Sequence, residues 1–254
     1  MKFNRAIVRE PGRSLIDGLT SLDLGRPDYE TALRQHRAYV AAMQRCGLEV
    51  IVLPPDEAHP DSTFVEDVAL LTRNGAIITR PGAPSRRGET AGMAGVLSSY
   101  FDRIERIEPP GTIDGGDIMK VGDHFYIGLS RRTNEAGARQ MIAHLEGMGL
   151  SGSTIPVDKV LHLKTGVSYL ERNVMAVSGE FVGHPAFDGF HILVLPEDEP
   201  YAAGCTWFNE RVFMPAGFPK SRRLIASAGY EVVALEMSEF QKLEGGLGCL
   251  SLRF

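Results

Sequence analysis

The sequence predicts an α/β fold of five ββαβ units set radially with approximate fivefold symmetry, and three observations carry that prediction. The same order of signals recurs along the chain: an apolar strand, a tight turn, a second apolar strand, an amphipathic helix, then a third strand. Three helix exits match one another, because CGLEVIVLP, GMGLSGSTIPV and AGYEVVALEM each place glycine just past a helix, where a left-handed cap favours it. Each unit, at roughly 40 to 50 residues, is too small to bury its own apolar face, so the units need a shared core. A doubly wound parallel sheet is the alternative, but it alternates single strands with helices, whereas hairpins recur here.

The first unit runs from the hairpin VALLTRNGAIITR, turning at Asn74-Gly75, through a helix near 89 to 101, to the strand ERIE. Asn-Gly suits a two-residue hairpin turn because both residues tolerate positive φ. The second has IMKVGDHFYIG with its turn at Gly122-Asp123, a helix near 133 to 148, and STIPV. In that helix Ala138, Met141, Ile142, Leu145 and Met148 fall on one face, the spacing of a stripe that packs against a core. The third reads GVSYLERNVMAVSG, a short and weak helical segment, and FHILVLP. The fourth reads CTWFNERVFMPAG, a helix near 219 to 228, and YEVVALEM. The fifth is split across the termini: CLSLRF at the end, AIVRE at the start, a helix over 28 to 46, and LEVIVLPP. One domain over residues 1 to 254, closed by its own two ends, is the expected organisation.

Composition narrows the function classes. The chain is 43% hydrophobic over 254 residues, enough for a sizeable buried core. It contains no run of about 18 apolar residues, and its start, MKFNRAIVRE, lacks the apolar stretch of a secretory signal, so a cytoplasmic location with no membrane partner is expected. Cys46, Cys205 and Cys249 are odd in number and far apart, which suggests neither a disulfide framework nor a CxxC site. The net charge of -5 is mild and the arginine pairs are scattered without interleaved aromatics, which argues against nucleic acid as a partner.

The chemistry-bearing residues sit just before the first strand of a unit: Phe64-Val65-Glu66-Asp67, Asp114-Gly115-Gly116-Asp117, His162-Leu163-Lys164-Thr165-Gly166 and Glu244-Gly245-Gly246-Leu247-Gly248-Cys249. Equivalent positions in a radial fold converge on the axis, so a nucleophile, a proton carrier and anionic groups are expected around one small cavity. A thiolate attacks electron-poor carbon, and an imidazole passes the proton to a departing amine. A guanidinium offers such a carbon, provided that carboxylates, here Asp67 and Glu66, hold it oriented against the sulfur. No metal or other cofactor is required, and no spacing offers a convincing ligand set. Each residue also has a plainer role open to it. Cys249 lies among apolar and small residues and suits a core, the glycines before it suit a tight bend, and His162 between two leucines suits a structural hydrogen bond. The carboxylates suit turn caps, Asp117 among them, and Cys46 and Cys205 are read as packing.

Taken together, PDSTFVEDVAL, RPGAPSRRGE, GTIDGGDIMKVGDHFYIGLSRRTNEAGA, VLHLKTGVSYL and GGLGCLSL resemble the dimethylarginine dimethylaminohydrolase family over nearly the whole chain. The resemblance implies the five-bladed α/β-propeller called the pentein fold, and a methylated arginine as small-molecule substrate; it is compatible with a homodimer. It implies that Cys249 is the nucleophile, that His162 is acid and then base, and that Asp114 orients His162. Asp67 would hold the guanidinium, with Glu66 close by. Arg86 and Arg132 would bind the α-carboxylate, and Asp61 with the carbonyls of Leu19 and Leu243 would receive the α-amino group. The bacterial members it most resembles carry glutamate where Asp114 stands, and one methylene less shortens the reach to His162 by about 1.5 Å. Glu244 stands where aspartate is usual. The segment from Arg13 to Pro27 is expected to serve as a lid. Two rival functions remain at this stage, an arginine deiminase-type hydrolase and a non-catalytic binder of cationic amino acids.

Overall fold

The structure is a computed structural model that describes residues 2–254. It contains five three-stranded sheets among the described residues. In each sheet the first and middle strands form an antiparallel pair and the third strand lies parallel to the middle one. The first unit pairs Ala69–Thr72, Gly75–Ile78 and Ile104–Arg106, and the second pairs Ile118–Val121, His124–Leu129 and Ser151–Pro156. The third pairs Val167–Tyr169, Val174–Val177 and His191–Val194, and the fourth pairs Thr206–Phe208, Arg211–Pro215 and Glu231–Leu235. The fifth joins the termini, with Leu252–Arg253 antiparallel to Arg5–Arg9, which lies parallel to Glu49–Leu53. A parallel partner cannot be reached by a hairpin, which is why a crossover segment follows every middle strand.

Five apolar clusters lie between neighbouring units and fill the ring. Ile77 and Ile113 meet Phe125, Ile127 and Met141 between the first two units. Met119 and Ile155 meet Val167, Met175 and Phe181 between the second and third. Val174 and Leu193 meet Trp207, Met214 and Ile225 next, then Phe208 and Phe213 meet Ala6, Val8 and Tyr39. Ile7 and Leu252 meet Leu71, Ile78 and Met93 to close the ring. Every unit therefore buries both faces of its sheet only because it has two neighbours, and the fivefold arrangement follows from that sharing.

The helices agree with expectation in four units: Glu89–Leu97, Glu135–Glu146, Pro219–Ser227 and Tyr29–Arg45. The first ends at Leu97 rather than near 101, and Tyr100 and Phe101 turn to stack on Phe254. The exit glycines Gly47, Gly149 and Gly229 all have φ between 73° and 88°, the left-handed caps expected of them. The third unit crosses over through two short 3-10 turns, Gly179–Phe181 and Pro185–Phe187, instead of an α-helix. Positive φ at Gly179 and Gly183 and the ring of Pro185 break helical continuity there, while Phe181 and Phe187 still supply the buried side chains.

A helical turn precedes the first strand of every unit: Val65–Val68, Gly115–Asp117, Leu163–Gly166, Pro200–Gly204 and Gly248–Leu250. These turns pack on one another, so residues far apart in sequence are delivered to one place.

Candidate active site

Four of the five inner turns bring the chemistry. Cys249 is the middle residue of Gly248–Leu250, with its N–H donated to the Gly246 carbonyl at 3.2 Å and its side chain half-buried. His162 caps the turn Leu163–Gly166, and Asp114 caps Gly115–Asp117. The His162 Nε2 lies 3.1 Å from Asp114 Oδ2, so the shorter aspartate makes the contact. Asp114 is fully buried, and its Oδ1 accepts the Gly82 N–H at 2.8 Å, which fixes the carboxylate from the other side. Gly116 is required here, because a Cβ at that position would lie 2.5 Å from His162 Nδ1.

Asp67, in Val65–Val68, accepts the Gly116 N–H on Oδ1 at 2.8 Å and meets Arg86 Nη1 through Oδ2 at 2.6 Å. Burial opposes its charge, but Arg86 and the His162 ring win, and its carboxyl falls to about 2. Burial also opposes a charge on His162, yet Asp117, the hydrogen bond to Asp114 and the charge of Asp67 raise the imidazole to about 9. Burial, with Glu66 and Asp67 nearby, pushes the Cys249 thiol up to about 12, and Lys164 opposes that only partly. At neutral pH the site thus holds a thiol, an imidazolium and an ionised Asp67.

A cavity of about 30 Å³ is lined by Cys249, His162, Asp114, Asp67, Asp61, Arg86, Arg132, Leu19 and Leu243. Nine of the ten residues singled out from the sequence thus border one space. Glu66 does not. Its Oε1 pairs with Lys164 Nζ at 2.7 Å and Arg253 Nη2 at 2.9 Å, and it lines a larger cavity of about 760 Å³ that shares His162 and Cys249 with the small one. The two carboxylates thus have different protein partners, although the charges of both act on Cys249.

The two arginines have different settings. Arg86 is buried, and its guanidinium donates to Asp67, to both oxygens of Glu89 and to the carbonyls of Asp61 and Phe64. Removing one partner of such a buried pair costs about 3 to 5 kcal/mol, so Arg86 holds the site together. The Arg132 guanidinium lines the same cavity and has no hydrogen bond or ion pair with another described residue, which leaves its fork available to a carboxylate. Asp61 accepts the Leu19 N–H on Oδ1 at 3.0 Å, and burial raises its pKa. The segment from Arg13 to Pro27 contributes Leu19 to the cavity lining. Arg13–Asp17 is a 3-10 turn anchored by buried Leu15 and by Glu57, which accepts the N–H groups of Arg13 and Ser14. The stretch beyond it is tied down where Ser21 donates through N–H and Oγ to Glu244.

Sequence reasoning missed Lys164, Arg253 and Glu89. Only Glu89 left a signal, three residues after Arg86, a spacing at which helical side chains meet. Among the described residues Asp67, Asp114 and His162 form the group whose donor atoms come close enough to hold a metal ion, all within 4.8 Å. Asp67 is already committed to Arg86 and His162 to Asp114. Buried carboxylates that line one cavity with a sulfur suit a planar organic cation.

Comparison with known proteins agrees with this geometry. A family model described as N,N dimethylarginine dimethylhydrolase, eukaryotic, matches residues 26–182. The N(G),N(G)-dimethylarginine dimethylaminohydrolase of Pseudomonas aeruginosa is 57% identical over 253 residues, covering 99% of this chain and 100% of that protein. A solved structure of the P. aeruginosa protein, a C249S mutant complexed with citrulline, superposes with a TM-score of 0.99 at 56% identity, covering 100% of both chains. A solved H162G adduct with S-methyl-L-thiocitrulline, also a dimethylarginine dimethylaminohydrolase, gives 0.98 at 56% identity, covering 99% of this chain and 100% of the other. On fold, site and relatives together, this chain belongs to the dimethylarginine dimethylaminohydrolase family.

Proposed function

We propose that this chain, acting as one catalytic unit, hydrolyses asymmetric N,N-dimethyl-L-arginine and N-monomethyl-L-arginine to L-citrulline and dimethylamine or methylamine. The observation that carries the reading is that Cys249, His162, Asp114 and Asp67 border one small cavity that Arg132 also lines.

The substrate's α-carboxylate binds the Arg132 fork, and its α-amino group meets Asp61 and the carbonyls of Leu19 and Leu243. The guanidinium then lies against Asp67, with its central carbon facing sulfur. The resting thiol is a weak nucleophile because burial, and after it the charges of Glu66 and Asp67, disfavour the thiolate. A bound guanidinium cation offsets those charges and favours the thiolate as it docks. Sulfur attacks the carbon, His162 protonates the methylated nitrogen, and the C–N bond breaks with loss of the neutral amine. A positively charged thiouronium remains on Cys249. His162, now neutral, takes a proton from water, the hydroxide adds to the same carbon, and the C–S bond breaks as the hydroxyl proton passes to sulfur, giving citrulline, the resting thiol and the imidazolium.

Supplying arginine, monomethylarginine and asymmetric dimethylarginine separately to the purified protein tests the reading, with citrulline as readout. The two methylated substrates are expected to react faster, and faster release from arginine would overturn the assignment. Arg132→Gln removes a charged fork from the carboxylate but touches nothing at the reacting carbon. It is expected to raise KM by about 10- to 100-fold. The kcat should stay within a few-fold of the parent, as steady-state kinetics will show.

A further inference from the structure

We propose that Asp117 is a positioning residue for this reaction, the hub that holds His162, Asp114 and Arg132 in one register. The inference deepens the functional reading above and rests on it. Asp117 is fully buried, and no cation forms an ion pair with it among the described residues. It is held by three hydrogen bonds instead. Its Oδ1 accepts the N–H of Leu163 at 2.9 Å, the residue directly after His162. Its Oδ2 accepts the hydroxyls of Ser130 and Thr133, each at 2.6 Å.

Those hydroxyls pass the constraint on. A hydroxyl has one proton, so each, having given it to Asp117, can only accept from its other neighbours. Thr133 Oγ1 accepts the Asp114 N–H at 3.2 Å, and Ser130 Oγ accepts the Arg132 N–H at 3.0 Å. One carboxylate therefore fixes the backbone of the turn behind the imidazole, of the residue that orients it, and of the loop that carries the carboxylate clamp. Gly128 leaves room for this, since a Cβ there would lie 2.8 Å from Asp117 Oδ1 and 3.0 Å from Leu163 Cβ. A structural carboxylate would need only to satisfy its own strand. This one ties together three segments whose common property is contact with the proposed substrate or with its proton carrier.

The branches make the proposal testable by separate kinetic signatures. Ser130→Ala frees the Arg132 branch and is expected to raise KM by about 3- to 10-fold with kcat retained. Thr133→Val frees the Asp114 branch and is expected to lower kcat about 10-fold with KM retained. Asp117→Asn keeps a single acceptor oxygen, so it cannot serve the Leu163 N–H and the two hydroxyls together, and a displacement of about 1 Å at the imidazole lowers kcat by about 100-fold. The charges of Asp117, Asp67 and Asp114 act on His162, and Arg86 and Cys249 line the same cavity. Loss of one of those negative charges moves the alkaline limb of the kcat profile to lower pH. A folded Asp117→Asn with the parent's kcat and pH limb would overturn the proposal. So would hydroxyl variants that shift only the melting temperature, or that change kcat and KM alike. If Asp117→Asn does not fold, the two hydroxyl variants decide, since each leaves the carboxylate and the other hydroxyl in place. A parent that turns over none of the three arginines defeats the functional reading alone, and the His162 imidazole titration in Asp117→Asn, followed by NMR, still tests the hub.

Discussion

Cys249→Ser abolishes citrulline formation, with kcat expected to fall by on the order of 10⁴-fold or more, while the variant still binds substrate. The substitution keeps the size of the side chain within the turn Gly248–Leu250, so the carboxylates and the Arg132 fork stay where they are. What changes is the reacting atom. Even with the thiol pushed up to about 12, a docked cation brings it within reach of ionisation, whereas an alcohol starts several units higher and is a poorer nucleophile toward a resonance-stabilised carbon. Binding measured by calorimetry should survive, and intact-protein mass spectrometry should show no covalent adduct. Unchanged turnover would place the nucleophile elsewhere and would leave Cys249 as a core residue.

The fold was legible because its units repeat short-range signals that each have a local cause. Asn74-Gly75 turns a hairpin, Gly47, Gly149 and Gly229 end helices, and the second unit's helix shows its buried face as a stripe that includes Met141 and Leu145. Where local signals conflicted, the reading was weakest: between Gly179 and Phe187 the buried aromatics suggest an element, while Gly183 and Pro185 prevent a regular helix. The site was legible as a set of positions, since polar or glycine-rich turns precede the strands and symmetry makes them converge. Side-chain direction was not. Nothing in the dipeptide Glu66-Asp67 reveals that one residue meets Lys164 and Arg253 while the other meets Arg86. That choice is made by cations almost 100 residues and more away from Glu66, and pattern alone does not pair such distant charges. Asp117 is the same case, because its meaning lies in Leu163, Ser130 and Thr133 rather than in its own segment.

Replacing His162 with glycine should separate the two halves of the reaction. The imidazole is raised to about 9, so at neutral pH it carries the proton that the departing amine needs. Without it the attack of sulfur on dimethylarginine returns to starting materials, because an unprotonated dialkylamide does not leave, and citrulline formation falls by at least about 10²- to 10⁴-fold. An analogue that departs as a thiolate needs no such proton. With it the variant should still form the thiouronium, and the adduct should then persist because nothing takes the proton from the attacking water. Mass spectrometry over time will read both results, and a variant as fast as the parent would remove His162 from the mechanism. The pH dependence follows the same group. Parent activity should hold at neutral pH and decline as pH rises through about 9, where the acid is lost, and the variant's residual rate should lack that limb. The stability linkage has the same sign: a folded-state pKa above the usual 6.5 favours the folded protein below that value, and the gain disappears as pH rises through about 9. Added imidazole, small enough for the space the missing ring leaves beside Gly116, should restore part of the lost turnover. Rescue by imidazole but not by an equally basic, bulkier amine would tie the defect to the proton carrier rather than to a disturbed fold.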